Sequence, residues 1–167
     1  RLFQENGFTS IRFGDITDQE IAKRSLELNE KNERYVRELL RQEQGMVAYA
    51  KLNLPRIDSA MKDQDVVIDG LYSWEEYVFL SEYYGKDFCV VAVGASPGTR
   101  YARLIGRRDR RLTAEEAASR DKAEIENSNK GGPIAMADFT IINESPVEDL
   151  RKEVKMIVSI LRNEKND

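Results

Sequence analysis

A short apolar run that ends at a carboxylate and a glycine constrains the fold of this chain most strongly. Residues 65–70 read Asp-Val-Val-Ile-Asp-Gly, with three β-branched side chains before Asp69 and Gly70. Such a run is typical of a parallel strand that is covered on both faces. Ligands of open α/β sheets collect at the carboxyl edge of the strands, so we expect Asp69 at a binding edge. The Asp-Gly pair alone would also fit an ordinary turn.

Strand and helix patterns alternate along the rest of the chain. Apolar runs predict four strands, at residues 9–13, 66–68, 88–93 and 139–142. Four capping boxes of the form Ser/Thr-x-x-Glu predict helix starts, at Thr17, Ser73, Thr113 and Ser145. Pro55 should bend or interrupt a helix, and residues 127–133, rich in Asn and Gly, should be mobile or solvent-facing. The alternation predicts a three-layer α/β/α fold with a mainly parallel sheet.

Composition excludes several classes of chemistry. The chain contains no histidine, which removes Ser-His-Asp triads and the usual zinc and non-haem iron sites. Any metal must be held by oxygen ligands, which suit Mg²⁺ bound by one or two carboxylates and substrate phosphates. The single cysteine, Cys89, cannot form an intramolecular disulfide and is expected in a strand core.

Length and charge indicate a single cytoplasmic domain without a membrane span. The 167 residues suffice for one ordinary core, and no apolar run approaches the length that crosses a bilayer. The net charge of −4 provides no global positive field for nucleic acid. Tyr101 is the one aromatic residue interleaved with the arginines of residues 100–120, and this scarcity argues further against a nucleic-acid partner.

Arginines are concentrated in the second half of the chain. The cluster comprises Arg100, Arg103, Arg107, Arg108, Arg110 and Arg111, followed by Arg120. Positions 100, 103 and 107 would share one face of a helix, and guanidinium forks bind phosphate bidentately. The alternative is a solvated basic helix whose arginines pair with neighbouring glutamates.

Two segments resemble nucleotide-contacting segments of the nucleoside-monophosphate kinase group, which includes adenylate kinases and dephospho-coenzyme A kinases. Arg103-Leu104-Ile105-Gly106-Arg107-Arg108 is similar to the entry of their mobile lid, where the first arginine packs on the ATP base and later ones contact phosphates. Asn143-Glu144-Ser145-Pro146-Val147 resembles their adenine-contacting loop. The resemblance implies that six residues bind ATP, namely Arg103, Arg107, Arg108, Ser145, Pro146 and Val147.

Acids and an arginine complete the likeness to these phosphate-loop (P-loop) kinases. Asp69 matches the acid that ends their third strand, and Phe13-Gly14-Asp15 lies where their second strand ends beside the phosphoryl acceptor. Arg120-Asp121 resembles the pair on the helix that leaves the lid. The resemblance implies that Asp69 orients Mg²⁺ or its waters and that Asp15 orients the acceptor or takes its proton. Arg107 and Arg120 would stabilise the transferring phosphoryl group.

The likeness covers the chain as one kinase-like domain, residues 1–167. Residues 17–63 would form a helical acceptor-binding region, and residues 107–120 a small Arg-rich lid. Gly70 is expected to contact the acceptor. Arg24 could hold an acceptor phosphate, although a surface ion pair with Glu20 or Glu27 explains it as well. Small proteins of the dephospho-coenzyme A kinase-like branch also carry a segment similar to residues 132–138.

One departure from the family is large. The phosphate loop Gly-x-x-x-x-Gly-Lys-Ser/Thr is absent from these 167 residues. The first residues resemble the end of a helix closed by Gly7, so we expect that a central strand and the phosphate loop precede Arg1 in the intact protein. Strands that form one sheet without a central gap would contradict this expectation.

The leading hypothesis is ATP-dependent, Mg²⁺-dependent phosphoryl transfer to a small phosphate-bearing acceptor, such as a nucleoside monophosphate or a dephospho-coenzyme A-like molecule. The alternative is a catalytically silent nucleotide-binding module that regulates another process. An intact phosphate loop upstream would favour catalysis, whereas a degraded loop would favour binding alone.

Overall fold

The computed structural model describes residues 1–108 and 111–164. The strands and helices follow in the order β1 (Thr9–Arg12), α1 (Asp15–Lys23), α2 (Glu30–Gln44), α3 (Ala48–Ala60), β2 (Val66–Asp69), α4 (Trp74–Tyr84), β3 (Val91–Gly94), α5 (Pro97–Ile105), α6 (Ala114–Glu126), α7 (Gly131–Ala135), β4 (Phe139–Ile142) and α8 (Val147–Glu164). Short 3₁₀ turns lie at Gln4–Asn6 and Gly85–Asp87. The α/β class expected from the sequence is confirmed.

The four strands form two parallel pairs. In the first pair β1 lies beside β2, with Thr9 opposite Val66, and in the second β3 lies beside β4, with Val91 opposite Phe139. Within the described ranges, no strand hydrogen bonds join one pair to the other. The predicted parallel pairing is therefore confirmed, but the strands do not form one continuous sheet.

Each pair has its own hydrophobic core. The first core surrounds β1 and contains Phe13 and Ile57, both almost completely buried. The second core packs β4 against α8 through Ile141 and Val158. Full burial of one such aliphatic or aromatic side chain contributes about 1.5–3 kcal/mol, so each core stabilises its own strand pair.

Capping predicts some helix starts and misses others. Ser73 and Thr113 form the predicted capping boxes at α4 and α6. The prediction for Thr17 was wrong, because α1 begins at Asp15 and the buried Thr17 hydroxyl lies 2.6 Å from the Tyr49 hydroxyl. The Ser145 box precedes α8, which begins at Val147.

Three further expectations need correction. Pro55 does not interrupt its helix, because α3 continues from Ala48 to Ala60. Helix α5 ends at Ile105, so Arg107 is not on the helix that carries Arg100 and Arg103. Cys89 precedes β3 and is only half-buried, because the chain before β3 completes a 3₁₀ turn instead of a longer strand.

The glycine-rich segment before β4 is only partly solvent-facing, since Asn127, Asn129 and Gly131 are exposed but Ser128 and Pro133 are buried. It forms the short helix α7, in which Pro133 is buried. A Cβ atom added to Gly132 would lie 2.6 Å from Cε3 of Trp74, so the absence of a side chain permits the helix to approach the indole. Close packing against a neighbouring helix overrides local composition here.

Candidate functional site

Asp69 lies at the carboxyl edge of the first strand pair. Its backbone carbonyl accepts a hydrogen bond from the Phe13 amide at 2.9 Å, which fixes the end of β2 beside the end of β1. Its side chain is exposed and has no hydrogen-bond or ion-pair partner in residues 1–108 and 111–164. The position predicted for a metal-side carboxylate is therefore open to a ligand.

Gly70 turns the chain away from this edge. Its φ of +114° is a conformation that side chains rarely adopt, and an added Cβ would lie 3.1 Å from the Tyr72 ring. Glycine is therefore required between Asp69 and Tyr72, so the Asp-Gly pair both ends the strand and forms the turn.

Asp15 lies in a different electrostatic environment. One carboxylate oxygen accepts a hydrogen bond from Arg12 Nε at 2.9 Å, and the other accepts from Arg56 Nη2 at 3.0 Å. Burial acts to raise the pKa of Asp15, but the bonds from Arg56 and Arg12 together outweigh it and lower the pKa. The carboxylate is thus held ionised between two cations, which suits an orienting role better than proton uptake.

A second concave feature, which we term the arginine cleft, lies between α2 and α6. Its lining residues are Arg34, Arg37, Glu38, Arg41, Tyr72, Arg120, Ala123, Glu124, Asn127 and Ser128. The helices meet through polar contacts, since Arg34 Nη2 donates to Ser119 Oγ at 3.3 Å and Arg41 Nη1 to Ser128 Oγ at 3.1 Å. Sequence reasoning assigned Arg120 a role but missed the three arginines of α2.

Tyr72 connects the arginine cleft with the strand edge. Burial raises the pKa of the Tyr72 hydroxyl most strongly, and the nearby carboxylates of Glu124 and Asp69 raise it further. The guanidinium groups of Arg120 and Arg37 act in the opposite direction. Tyr72 lines the cleft and follows Asp69 by three residues, so the chain passes directly from the strand edge to the cleft.

Carboxylates hold part of the cleft in place. Arg37 Nη2 lies 2.8 Å from Glu30, and Arg120 Nε lies 3.2 Å from Glu124. Burial opposes the charge of Arg120, but its acidic neighbours outweigh that effect and raise its pKa, so the guanidinium remains charged.

Two of the segments that were expected to bind ATP are in contact. Arg103 Nη1 donates to the Asn143 carbonyl at 2.8 Å, which joins α5 to the loop after β4. That loop leads to three exposed predicted residues, Ser145, Pro146 and Val147. The structure therefore brings Arg103 beside the predicted adenine loop.

The other predicted residues lie apart from this contact. Arg107 and Arg108 are exposed beyond the end of α5, and Arg110 lies outside the described residues. Arg24 forms the surface ion pair with Glu20, at 3.3 Å, that was its alternative interpretation.

The described ranges provide neither a ready-made metal site nor a helix that could cross a membrane. They contain no group of three acidic or cysteine side chains that could hold a metal ion. A metal at Asp69 would therefore need further oxygens, such as those of substrate phosphates. Among the helices that the structure describes, none combines the length and the apolar character that a membrane crossing requires.

Comparison with known proteins places the chain in a family. It is 38% identical over 160 residues to a UPF0200 protein from Thermococcus onnurineus, covering 93% of this chain and 86% of that protein. It is 39% identical, with the same coverage, to a UPF0200 protein from Thermococcus kodakarensis. A UPF0200/UPF0201 protein from Archaeoglobus fulgidus is 32% identical over 93% of this chain and 49% of that protein. No family model matches the chain. The identity to the two Thermococcus proteins, over 93% of this chain and 86% of each of them, shows that the chain belongs to the UPF0200 family.

Proposed function

We propose that this protein transfers a phosphoryl group from ATP to a small phosphate-bearing acceptor in a Mg²⁺-dependent reaction. The observation that carries the proposal is the Asp69 carboxylate. It is exposed at the carboxyl edge of a parallel strand pair, has no partner among the described residues, and neighbours a cleft with four arginines. An acid beside arginines is the arrangement that a metal-bound polyphosphate requires.

In this proposal the side chains act mainly by position and charge. Asp69 holds Mg²⁺ or its waters, while Arg107 and Arg120 neutralise the transferring group, a role in which an arginine contributes about 10³–10⁵ in rate. Asp15, ionised between two arginines, orients the acceptor. Arg103 and the loop before α8 contact the nucleotide.

We further propose that the two strand pairs are halves of one parallel sheet in a three-layer P-loop kinase fold. A strand between β2 and β3 would join them, and the loop after it would lie near Asp69. In support, β2 and β3 each pair with a single strand in the described chain, and Val93 and Ile142 at the end of the second pair are 59% and 60% exposed. Exposed β-branched side chains are typical of strands that lack a covering element.

A catalytically silent nucleotide-binding module is the second candidate. It differs from the first candidate in the phosphate loop, which would be degraded in a silent module and intact in a kinase. Without backbone donors for the β-phosphate and the loop lysine, a kinase would bind its nucleotide and transfer little.

The direct experiment follows ³¹P NMR spectra of the protein expressed from its complete gene, mixed with ATP and Mg²⁺. Adenosine, cytidine and uridine monophosphates and dephospho-coenzyme A are tested as acceptors in turn. We expect ADP and a phosphorylated acceptor to appear together, and only when Mg²⁺ is present. ATP binding without transfer to any acceptor would support the silent module, and the absence of both would contradict both candidates.

A further inference from the structure

All but one of the arginines of the cleft are paired with carboxylates of the described chain. Arg37 lies 2.8 Å from Glu30 and 3.4 Å from Glu33. Glu30 also lies 3.8 Å from Arg120 and 3.9 Å from Arg34. These pairs account for the other arginines, but not for Arg41.

Arg41 lacks a carboxylate partner. It forms no ion pair with any described residue, and its buried Nε has no hydrogen-bond acceptor there. Its guanidinium donates to Ser128 Oγ and lies 5.6 Å from the centre of the Tyr49 ring. Native proteins rarely leave a buried donor of a charged group unsatisfied, so this donor calls for an explanation.

We propose that the arginine cleft is a phosphate-binding site in which Arg41 is the principal anion ligand. A guanidinium fork can donate two parallel hydrogen bonds to a phosphate. Arg37, one helical turn away, is held by Glu30 and Glu33 and serves as a neighbouring positive charge. Ser128 and Asn127, which also line the cleft, supply further donors.

The cleft recognises the anionic part of a ligand and not an aromatic ring. The Lys130 ammonium lies 4.8 Å from the centre of the Tyr72 ring. That cation occupies a ring face on which a nucleobase would otherwise stack. The ligand group in the cleft is therefore a phosphate, and any base or other body of the ligand lies outside.

This inference deepens the proposed function and rests on it for the identity of the ligand, which we take to be the phosphate of the acceptor. Arg120 connects the phosphate-binding cleft with the proposed site of phosphoryl transfer. It lines the cleft and is one of the two arginines proposed to neutralise the transferring group. Arg24, the earlier candidate for this task, is engaged with Glu20 instead.

Isothermal titration calorimetry of inorganic phosphate into the protein from its complete gene tests the site at low ionic strength. We expect one binding event. Its affinity should fall about 10- to 100-fold in Arg41→Gln, because the variant loses a charge-assisted hydrogen bond to the phosphate. Glu38→Gln, which removes an exposed acid from the cleft lining, should tighten binding about 2- to 5-fold. Circular dichroism establishes that each variant is folded.

Two controls separate this site from others. Arg151→Gln removes an arginine that pairs with Glu5, away from the cleft, and should leave phosphate affinity unchanged. Arg24→Gln should also leave phosphate affinity unchanged, whereas a loss of affinity there without a loss in Arg41→Gln would overturn the proposal.

Wild-type protein that does not bind phosphate, or equal affinity in wild type, Arg41→Gln and Glu38→Gln, would overturn the proposal too. Arg41-dependent phosphate binding without phosphoryl transfer to any acceptor would keep the site and contradict the proposed function.

Discussion

Asp15 lies just after β1 and Asp69 ends the neighbouring strand β2, yet one carboxylate is paired and the other is not. Arg12 and Arg56 hold both oxygens of Asp15, whereas no described residue pairs with the side chain of Asp69. The sequence placed Asp69 correctly because a β-branched run before Asp-Gly determines a strand end locally. It could not reveal Arg56 as a partner of Asp15, since the two lie 41 residues apart and meet only through the packing of α3.

Glu76 gives the chain a stability that depends on pH. Its side chain is completely buried; one oxygen accepts from the amides of Tyr72 and Ser73, while the other has no partner among the described residues. Burial raises the pKa of Glu76 from 4.5 to about 7, and the amides and Arg41 oppose this only in part. The folded protein therefore binds a proton more tightly than the unfolded chain does.

The contribution of Glu76 to stability should be complete below pH 4.5 and be lost as the pH rises to about 7. We expect the free energy of unfolding to fall by about 2–4 kcal/mol across this window. In Glu76→Gln, which keeps an oxygen acceptor for the two amides but does not titrate, this fall should disappear. Urea unfolding at intervals between pH 4.5 and 8 measures it, and an unchanged slope in the variant would show that other groups are responsible.

At the scale of elements, sequence reasoning succeeded where local signals were strong. The Ser73 capping box gave the start of α4, and the apolar run at Phe139–Ile142 gave the bounds of β4. It failed at α7, where the Asn- and Gly-rich composition indicated a loop. Contact with Trp74, which follows β2 far earlier in the chain, explains this helix, and no local pattern encodes that contact.

The two adjacent glycines of α7 provide a matched test of this contact. In Gly132→Ala the new methyl group would lie 2.6 Å from Trp74 Cε3, so we expect a loss of about 1–3 kcal/mol. In Gly131→Ala the methyl group meets no atom within 4 Å, and the variant should be unchanged or more stable by about 0.4–1 kcal/mol.

Urea unfolding followed by fluorescence measures both variants, because Trp74 is the single tryptophan of the chain. Equal stabilities of Gly131→Ala and Gly132→Ala would show that α7 does not depend on close approach to the indole.

For the whole molecule, the order and the parallel direction of the strands could be predicted, and the family resemblance also implied a gap at the centre of the sheet. Which strands pair, and the separate core of each pair, could not be predicted. Periodicity reports which face of a strand is buried and says nothing about which strands are neighbours. The arginine cleft escaped prediction for a similar reason. Arg41 and Ser128 lie 87 residues apart, and the spacing of Arg34, Arg37 and Arg41 along α2 was the one local signal available.

The central claim is that Asp69 serves Mg²⁺-dependent phosphoryl transfer. The most direct measurement is the rate of ATP-dependent acceptor phosphorylation by the protein from its complete gene, compared with Asp69→Asn and with Asp87→Asn, an exposed acid in the turn after α4. We predict that Asp69→Asn lowers the rate at least about 100-fold, because it removes the negative charge that would hold Mg²⁺ or its waters, and that Asp87→Asn leaves it unchanged. Transfer by Asp69→Asn at the wild-type rate would contradict the claim.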